Sequence, residues 1–598
     1  MSEGLHHAAS PDDADDTVVQ PTSGRRPGQF RFAPSLDRQA TAADLAALGG
    51  LNPLVEAANP ILAAVPQIRH ALRHPDPAGL RVRLRSQLDA FDRAALAAGV
   101  AEDRRFVARY ALCAVLDDAA GATPWGRDWL KRGLLSEMHG DSAGADKFFA
   151  LLDPMLAQPR QYKELLELFY ICLALGYEGR YRGGEGGRLA LTQVRTRLHG
   201  TVIAGRSIAD GEVSAHWRGA GVPLRRSWVE RVGTRLGLSR GGRPSEAYQP
   251  ATPEVAKLRE RFDHALGAMR RARFISADGS RRGMAELPWY LFIGAPGAGK
   301  TTALLHAGLR FPLGDAPGDA TLHRAGGTRD CDWWLTEEAV LLDTAGRYTT
   351  DDTEADRAAW LGFLDLLKLY RPREPLHGVV AALSVYDLLH WNDDEITRYA
   401  AQVRERIGEA QARLGQKLPL YLLLTKADLL AGFGEFFAEL EPEQRTQVWG
   451  FTFEHSELHA DASRLRERCD EEFELLERRL YALLPARLQE ERDLQRRGAM
   501  YRFPQQFRGL RPLIGTFIDA AFGSGWNGER PLFRGVYLAS GSQQGSAIDR
   551  VLATLSRSFN LERKVQPPTI GSGKSFFLRR LLREVIFAEA GLAGQARR

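Results

Sequence analysis

Two shifts in hydrophobic period predict a multidomain chain: an all-α helical bundle, then an α/β domain built around a glycine-rich loop, then a helical extension. The first observation is a run of apolar residues at helical spacing from about residue 50 to 200. The second is a set of short apolar strands alternating with helices between 288 and 430. The third is length: 598 residues exceed what one ordinary core organises, so several domains are expected.

Residues 1–45 are rich in Asp, Ser, Gly, Pro and Arg without periodicity, the composition of a disordered segment. The helical bundle is assigned to 46–205. Its first helix carries Leu54, Ala57, Ala58, Ile61, Leu62 and Val65 at helical spacing, and Pro60 and Pro66 are expected to interrupt it. Segments 101–119, 124–138, 143–156 and 160–175 follow as amphipathic helices with short polar breaks. Residues 206–252 accumulate Gly, Arg, Ser and Pro and read as a linker.

Thr252-Pro253 then opens a helix, threonine as N-cap and proline in the first turn. The stripe Val255, Leu258, Phe262, Leu266 and Met269 is expected to pack on its own domain rather than on a partner. The α/β domain is assigned to 253–435. Its strands are Trp289–Ile293, Ala339–Leu342, Gly378–Val385 and Leu418–Leu424, with helices on both faces of the sheet. Residues 436–598 read as a helical and mixed extension, ending in the basic amphipathic stretch Phe576–Phe587.

Composition excludes several classes. A hydrophobic content of 44% with 26% charged residues is ordinary for a globular protein, and the net charge of +5 is weakly spread. No aromatic-interleaved basic stripe stands out, so nucleic acid is not an expected partner. Cys113, Cys172, Cys331 and Cys469 are far apart and form no Cys-x-x-Cys pair, which fits a reducing setting without a zinc site. The acidic, polar first 20 residues are not a secretory signal. No run of about 18 apolar residues occurs, so the chain as written is expected to be soluble.

Gly294-Ala295-Pro296-Gly297-Ala298-Gly299-Lys300-Thr301 matches the full G-x-x-x-x-G-K-T pattern between a strand and a helix start. Glycines let successive N–H groups point at phosphate oxygens, and the helix continuing through Thr302 adds its positive end. Lys300 would reach the β- and γ-phosphates, and Thr301 would ligate Mg²⁺. Asp343-Thr-Ala-Gly346 follows a strand; Asp343 would hold Mg²⁺ through water and the Gly346 N–H would sense the γ-phosphate. Alone, that motif is often just a turn.

Cys331–Thr336 and Ala339–Leu342 flank Glu337-Glu338 like a β-hairpin, and Thr328 precedes it where a third Mg²⁺ contact is expected. Arg324 and Arg329 rank low as charge-neutralising groups. Thr425-Lys426-Ala427-Asp428 resembles a guanine-reading [NT]-K-x-D element; its plainer reading is a helix cap. Asp428 would accept from the guanine N1–H and amino group, and the Lys426 stem would cover the base. Threonine at 425 leaves the bracing usually supplied by asparagine open. Arg347 stands where Ras-like GTPases place the glutamine that orients water, so unaided hydrolysis is expected to be slow. Gly571-Ser-Gly573-Lys574-Ser575 mimics the end of a second loop, but Pro567-Pro568 precedes it instead of a strand, and it is rejected as a nucleotide site.

Two family resemblances follow. Gly326–Thr336, Asp343-Thr-Ala-Gly-Arg-Tyr-Thr-Thr350, Phe503-Pro-Gln-Gln-Phe507 and Arg534–Gly545 resemble the cytoplasmic part of IcmF/TssM, the large inner-membrane subunit of type VI secretion, over about 253–590. Asn52–Ile61, Tyr110–Asp118, Thr123-Pro-Trp-Gly126 and Leu175–Arg182 resemble the DotU/TssL cytoplasmic domain over about 45–225. Both families carry membrane helices that are not found here, and the basic stretch at 579–583 suits the cytosolic flank of one. The resemblance implies TssL-like and TssM-like halves in mutual contact, and partners among baseplate and inner-membrane complex subunits. It implies placement at the cytoplasmic face of the bacterial inner membrane. It also points to Asp117, Asp118, Glu178, Arg180 and Arg182, although caps and salt bridges would explain Asp117 and Glu178 equally.

The expected function is therefore the cytosolic portion of the type VI anchoring complex, binding GTP or ATP with Mg²⁺ through a GTPase-like domain with weak turnover. A structural scaffold with a vestigial loop is the alternative. A free-standing regulatory GTPase fits less well, given the large helical domain and Arg347.

Overall fold

The computed structural model describes residues 50–141, 143–204, 211–219, 252–271, 274–275, 281–282, 287–310, 331–350, 353–454, 464–523, 526, 530–541, 547–561 and 573–593. The expected disorder of 1–45, most of the expected linker, and Arg324, Thr328 and Arg329 lie outside these residues.

The helical half consists of α1 (Pro53–His70), α2 (Pro77–Ala97), α3 (Glu102–Gly121), α4 (Leu134–His139), α5 (Gly144–Ala157), α6 (Lys163–Ala174) and α7 (Gly184–Ala204). Asn52 caps α1 by accepting the Val55 N–H at 2.9 Å, with Pro53 in the first turn. Pro60 and Pro66 do not interrupt this helix. Each removes one backbone bond, but the flanking Ile61, Leu62, Ala63, Ala64 and Val65 are all buried, and that packing outweighs the local loss.

The expected helix at 124–138 is shorter than the sequence suggested. Turns and a 3₁₀ segment, Leu130–Arg132, precede α4. Pro124 and Gly126 break the period, and the Asp117 carboxylate accepts the Leu134 and Leu135 N–H groups at 2.8 and 2.9 Å, which fixes the helix start there.

The second half opens with α8 (Pro253–Arg271), whose Phe262 stacks on Tyr370 and meets Trp333 and Phe363 edge-on or tilted. Val255, Leu258, Phe262 and Leu266 of the stripe are thus buried on their own domain, and the Met269 side chain lies outside the described ones. A seven-stranded sheet follows: β1 (Trp289–Ile293), β2 (Cys331–Leu335), β3 (Val340–Thr344), β4 (Gly378–Ser384), β5 (Pro419–Thr425), β6 (Trp449–Thr452) and β7 (Leu532–Leu538), in the order β2-β3-β1-β4-β5-β7-β6. The inner pairs are parallel, and β2 and β6 close the two edges antiparallel. β2 and β3 form the expected hairpin, with Leu335 opposite Val340.

The sheet does not end at 435. β7 pairs with β5 from Pro419–Leu532 to Leu424–Leu538, so the segment assigned to an extension supplies two strands of the same sheet. Around them lie α9 (Lys300–Leu305), α10 (Arg347–Thr350), α11 (Glu354–Tyr370), α12 (Val385–His390), α13 (Asp393–Leu414), α14 (Phe433–Phe436), α15 (Leu465–Glu490), α16 (Leu494–Arg508), α17 (Arg511–Phe522) and α18 (Arg550–Phe559).

Alternate residues of the strands feed two cores, as a sheet covered on both faces requires. Trp289, Leu291 and Ile293 face the helical layer, and that core runs without a break into the helical half. Tyr290, Phe292, Leu341, Tyr421 and Tyr537 face α9 and the C-terminal turns Leu581–Leu592. In those turns Leu581, Leu582, Val585 and Ile586 are buried on the sheet, so the basic end is a covering layer. The Arg534 and Glu589 side chains, both fully buried, pair there at 2.6 Å.

Part of the expected linker is also ordered. His216 O accepts the Thr452 N–H at 2.8 Å and Ser214 Oγ accepts the Gly450 N–H at 2.9 Å, which blunts edge strand β6.

The two halves dock directly. Tyr170 donates to Pro485 O at 2.7 Å, and His74 Nε2 lies 3.0 Å from Phe559 O. Asn59, buried on α1, accepts from Tyr501 and from Gln505 on α16. Among the described residues, no helix is long and apolar enough to cross a membrane.

Candidate functional site

Because β1, β3, β4, β5 and β7 run parallel, the loops that leave their carboxyl ends share one edge of the sheet. β1 is the strand at which the connections change side, with β3 on one flank and β4 on the other. In open α/β sheets, ligands bind outside the carboxyl end of such a strand. The loop Gly294–Thr302 leaves β1 at that place and winds into α9.

Gly294 has a φ of +150°, and a Cβ there would come within 2.4 Å of Ala382 O on β4; Gly297 has a φ of +74°. Side chains are poorly tolerated at both positions. Pro296 and Gly297 are exposed at the tip, whereas Ala295 and Ala298 are buried beneath. Two loop N–H groups are held from outside: Gly294 N–H donates to Thr349 Oγ at 3.1 Å and Ala295 N–H to the Tyr399 hydroxyl at 2.9 Å.

The Lys300 side chain folds back under the loop and donates to Gly294 O at 2.7 Å and Ala295 O at 3.1 Å. It is only 6% exposed. Burial holds its pKa down to about 8, with the nearby Asp343 working the other way. Thr301 Oγ donates to Asp343 Oδ2 at 2.5 Å, and Asp343 is fully buried at the end of β3. Gly346 lies hard against the loop: a Cβ there would fall 2.2 Å from Pro296 N. Thr302 continues the helix, its carbonyl beside Gly541.

On the other flank, Thr425 Oγ donates to Ala298 O at 2.5 Å, and its side chain packs on Gly299. The threonine therefore does brace the loop. Lys426 takes a left-handed backbone with φ 56°, and its Nζ sits 5.9 Å from the exposed Tyr386 ring. Asp428 is 8% exposed, and its Oδ1 has no hydrogen-bond partner. Burial raises its pKa, opposed by the neighbouring Ser540 hydroxyl and Lys426. Arg347 is engaged by Asp356 at 2.9 Å and lies over the Tyr348 ring.

The structure thus brings together Gly294 through Thr302, Asp343, Gly346, Thr425, Lys426 and Asp428; Thr328 lies outside the described residues. Sequence reading missed Thr349, Tyr399 and Ser540. Ser540 follows β7 and carried a signal, another strand ending in small polar residues; its neighbour Ala539 O accepts the Ala427 N–H at 3.1 Å. Tyr399 lies mid-helix and carried none. Among the described residues, no group of three or more His, Cys, Asp or Glu side chains forms a metal site by itself.

In the helical half, Asp117 accepts from Trp129 Nε1 at 2.8 Å as well as capping α4. Arg69 bridges Asp118 and Glu178, both at 2.8 Å, and Arg182 reaches Asp118 at 2.7 Å and Glu178 at 3.4 Å. The Arg180 guanidinium lies over Phe149 and Tyr181. Asp117 thus serves as a cap and Glu178 as an ion-pair partner.

Comparison with known proteins gives two family matches: the type VI secretion system protein DotU over residues 53–241, and the IcmF-related N-terminal domain over 353–598. The chain is 49% identical over 353 residues to the type VI secretion system component TssM1 of Pseudomonas aeruginosa, covering 59% of this chain and 32% of that protein. It therefore spans about a third of that relative's length. The crystal structure of TssL from Vibrio cholerae is 29% identical, covering 26% of this chain and 100% of that one at a TM-score of 0.24. The cytoplasmic domain of TssL from Acinetobacter baumannii is 22% identical, covering 26% and 99% at a TM-score of 0.25.

Proposed function

We propose, from the premise that the chain is a fusion of a DotU/TssL domain with an IcmF/TssM-related region, that it is a component of the type VI secretion inner-membrane complex whose α/β domain binds a nucleoside triphosphate with Mg²⁺. The observation that carries this is the loop Gly294–Thr301 at the carboxyl end of the switch-point strand, with Lys300 beneath it and Thr301 hydrogen-bonded to Asp343. A buried lysine and a half-buried threonine hydrogen-bonded to a buried aspartate fit a magnesium-bound polyphosphate, and the unpartnered Oδ1 of Asp428 fits a base with N–H donors. Guanine offers such donors at one edge, which favours GTP over ATP. Thr301 and Asp343 would hold the metal, with Thr328 completing the set on sequence grounds. Bound Mg²⁺ would neutralise charge on the β- and γ-phosphate oxygens.

In this reading Lys300 exchanges the Gly294 and Ala295 carbonyls for phosphate oxygens, and Gly346, already against Pro296, offers its N–H to the terminal phosphate. Arg347 has no acceptor for the proton of an attacking water and is tied to Asp356, so turnover is slow or depends on a partner. The helical half would dock baseplate subunits at the cytoplasmic face of the inner membrane. Thermal unfolding tests the reading: Mg²⁺–GTP should raise the midpoint of the wild-type chain and raise that of Lys300→Ala far less.

A second reading, a scaffold whose loop no longer takes nucleotide, is favoured by one observation. The Lys300 ammonium and the N–H groups of Gly294 and Ala295 already have protein partners. A wild-type midpoint that millimolar Mg²⁺–GTP leaves unmoved would favour it.

A further inference from the structure

Away from the nucleotide loop, the rejected motif Gly573-Lys574-Ser575 lines a cavity of about 200 Å³ together with Arg445, Thr446 and Arg579. We propose that this cavity binds a phosphate-bearing anion, the headgroup of an anionic lipid or a soluble phosphate.

Three cations converge here, and no carboxylate lines the space; Glu441 and Glu443 flank Pro442 in sequence but do not reach into it. Among the described residues, Arg445, Lys574 and Arg579 form no ion pair. That is unusual for this neighbourhood: Arg580 pairs with Glu584 and Glu212, and Arg583 pairs with Glu338. Like charges brought together around a small polar space repel, and an anion between them removes the repulsion.

Lys574 and Arg579 are exposed at the rim, and the backbone that carries the walls is fixed. The Phe577 N–H donates to Arg445 O at 2.7 Å, and the Arg445 guanidinium sits 5.8 Å from the Phe576 ring centre. Phe576 exchanges backbone bonds of 2.9 and 3.1 Å with Ser540, tying the segment to the end of β7. Phe577 is fully buried with a φ of +65°. An aromatic residue is strained there, and surrounding structure must hold it. Arg445 adds a planar fork of donors and Ser575 a hydroxyl, the groups that suit a tetrahedral oxyanion.

The test uses the full chain carrying Lys300→Ala, so that the nucleotide loop does not contribute. Inorganic pyrophosphate is titrated calorimetrically, and sedimentation with phosphatidylcholine vesicles is compared with and without one-fifth phosphatidylglycerol. Adding Arg445→Ala and Lys574→Ala should weaken binding to whichever probe binds by about tenfold or more. Retention by the phosphatidylglycerol vesicles alone identifies a lipid headgroup; binding of pyrophosphate without vesicle preference identifies a soluble anion. Failure of both probes to bind overturns the proposal, as does binding that survives the two substitutions. Equal weakening by the exposed pair Arg127→Ala and Arg160→Ala also overturns it, because the effect would then be general charge.

Discussion

At Lys300, burial and the proposed nucleotide binding pull one side chain in opposite directions. Its folded pKa of about 8 lies below the ordinary 10.5, so between those values the unfolded chain holds more protons and stability rises with pH. Binding a polyanion needs the ammonium and runs the other way. Nucleotide affinity is expected to be about tenfold weaker at pH 9 than at pH 7, following the protonated fraction; calorimetry at the two pH values checks it. In the proposed complex, Asp428→Asn would replace the carboxylate acceptor of two guanine N–H donors by an amide. Asp428→Asn is expected to weaken GTP by about 10- to 100-fold while leaving ATP little changed, read by competition against a fluorescent nucleotide. Threonine at 425 was legible as part of a motif, but its bracing role was not. Only the fold places its hydroxyl 2.5 Å from Ala298 O.

Helices and strands were legible where period and burial agree, as in β1, β4 and β5, whose residues are buried throughout. β7 was hidden by Arg534, a charge within an apolar strand whose partner Glu589 lies 55 residues on. β6 was hidden by its length, four residues among charged helices. α1 misled in the opposite sense, its prolines reading as breaks. The Arg534–Glu589 pair also makes a prediction about the C-terminal layer. Glu589→Ala would strand a buried guanidinium and remove the acceptor of the Tyr421 hydroxyl, at a cost of about 3–5 kcal/mol. Urea unfolding measures it, and Arg534→Met with Glu589→Leu should recover most of the loss. Between the halves, Asn59→Ala removes the acceptor shared by Tyr501 and Gln505. It is expected to cost about 1–3 kcal/mol, again by urea unfolding.

At the scale of the molecule, each half was recognisable from quoted motifs, but their docking was not. Asn59, Tyr170 and Tyr501 look in sequence like ordinary core residues, and only their long-range partners give them an interfacial meaning. The docked arrangement places the segments that match the DotU and IcmF-related families on one continuous core, so the α/β domain is packed against the helical half rather than standing alone. The central claim is that this domain binds nucleotide through Lys300. Its most direct test is calorimetric titration of Mg²⁺ and a non-hydrolysable GTP analogue into the full chain at pH 7, with wild type beside Lys300→Ala. Saturable one-site binding is expected, weakened about a hundredfold in the variant. Wild-type binding no tighter than that of the variant would contradict it.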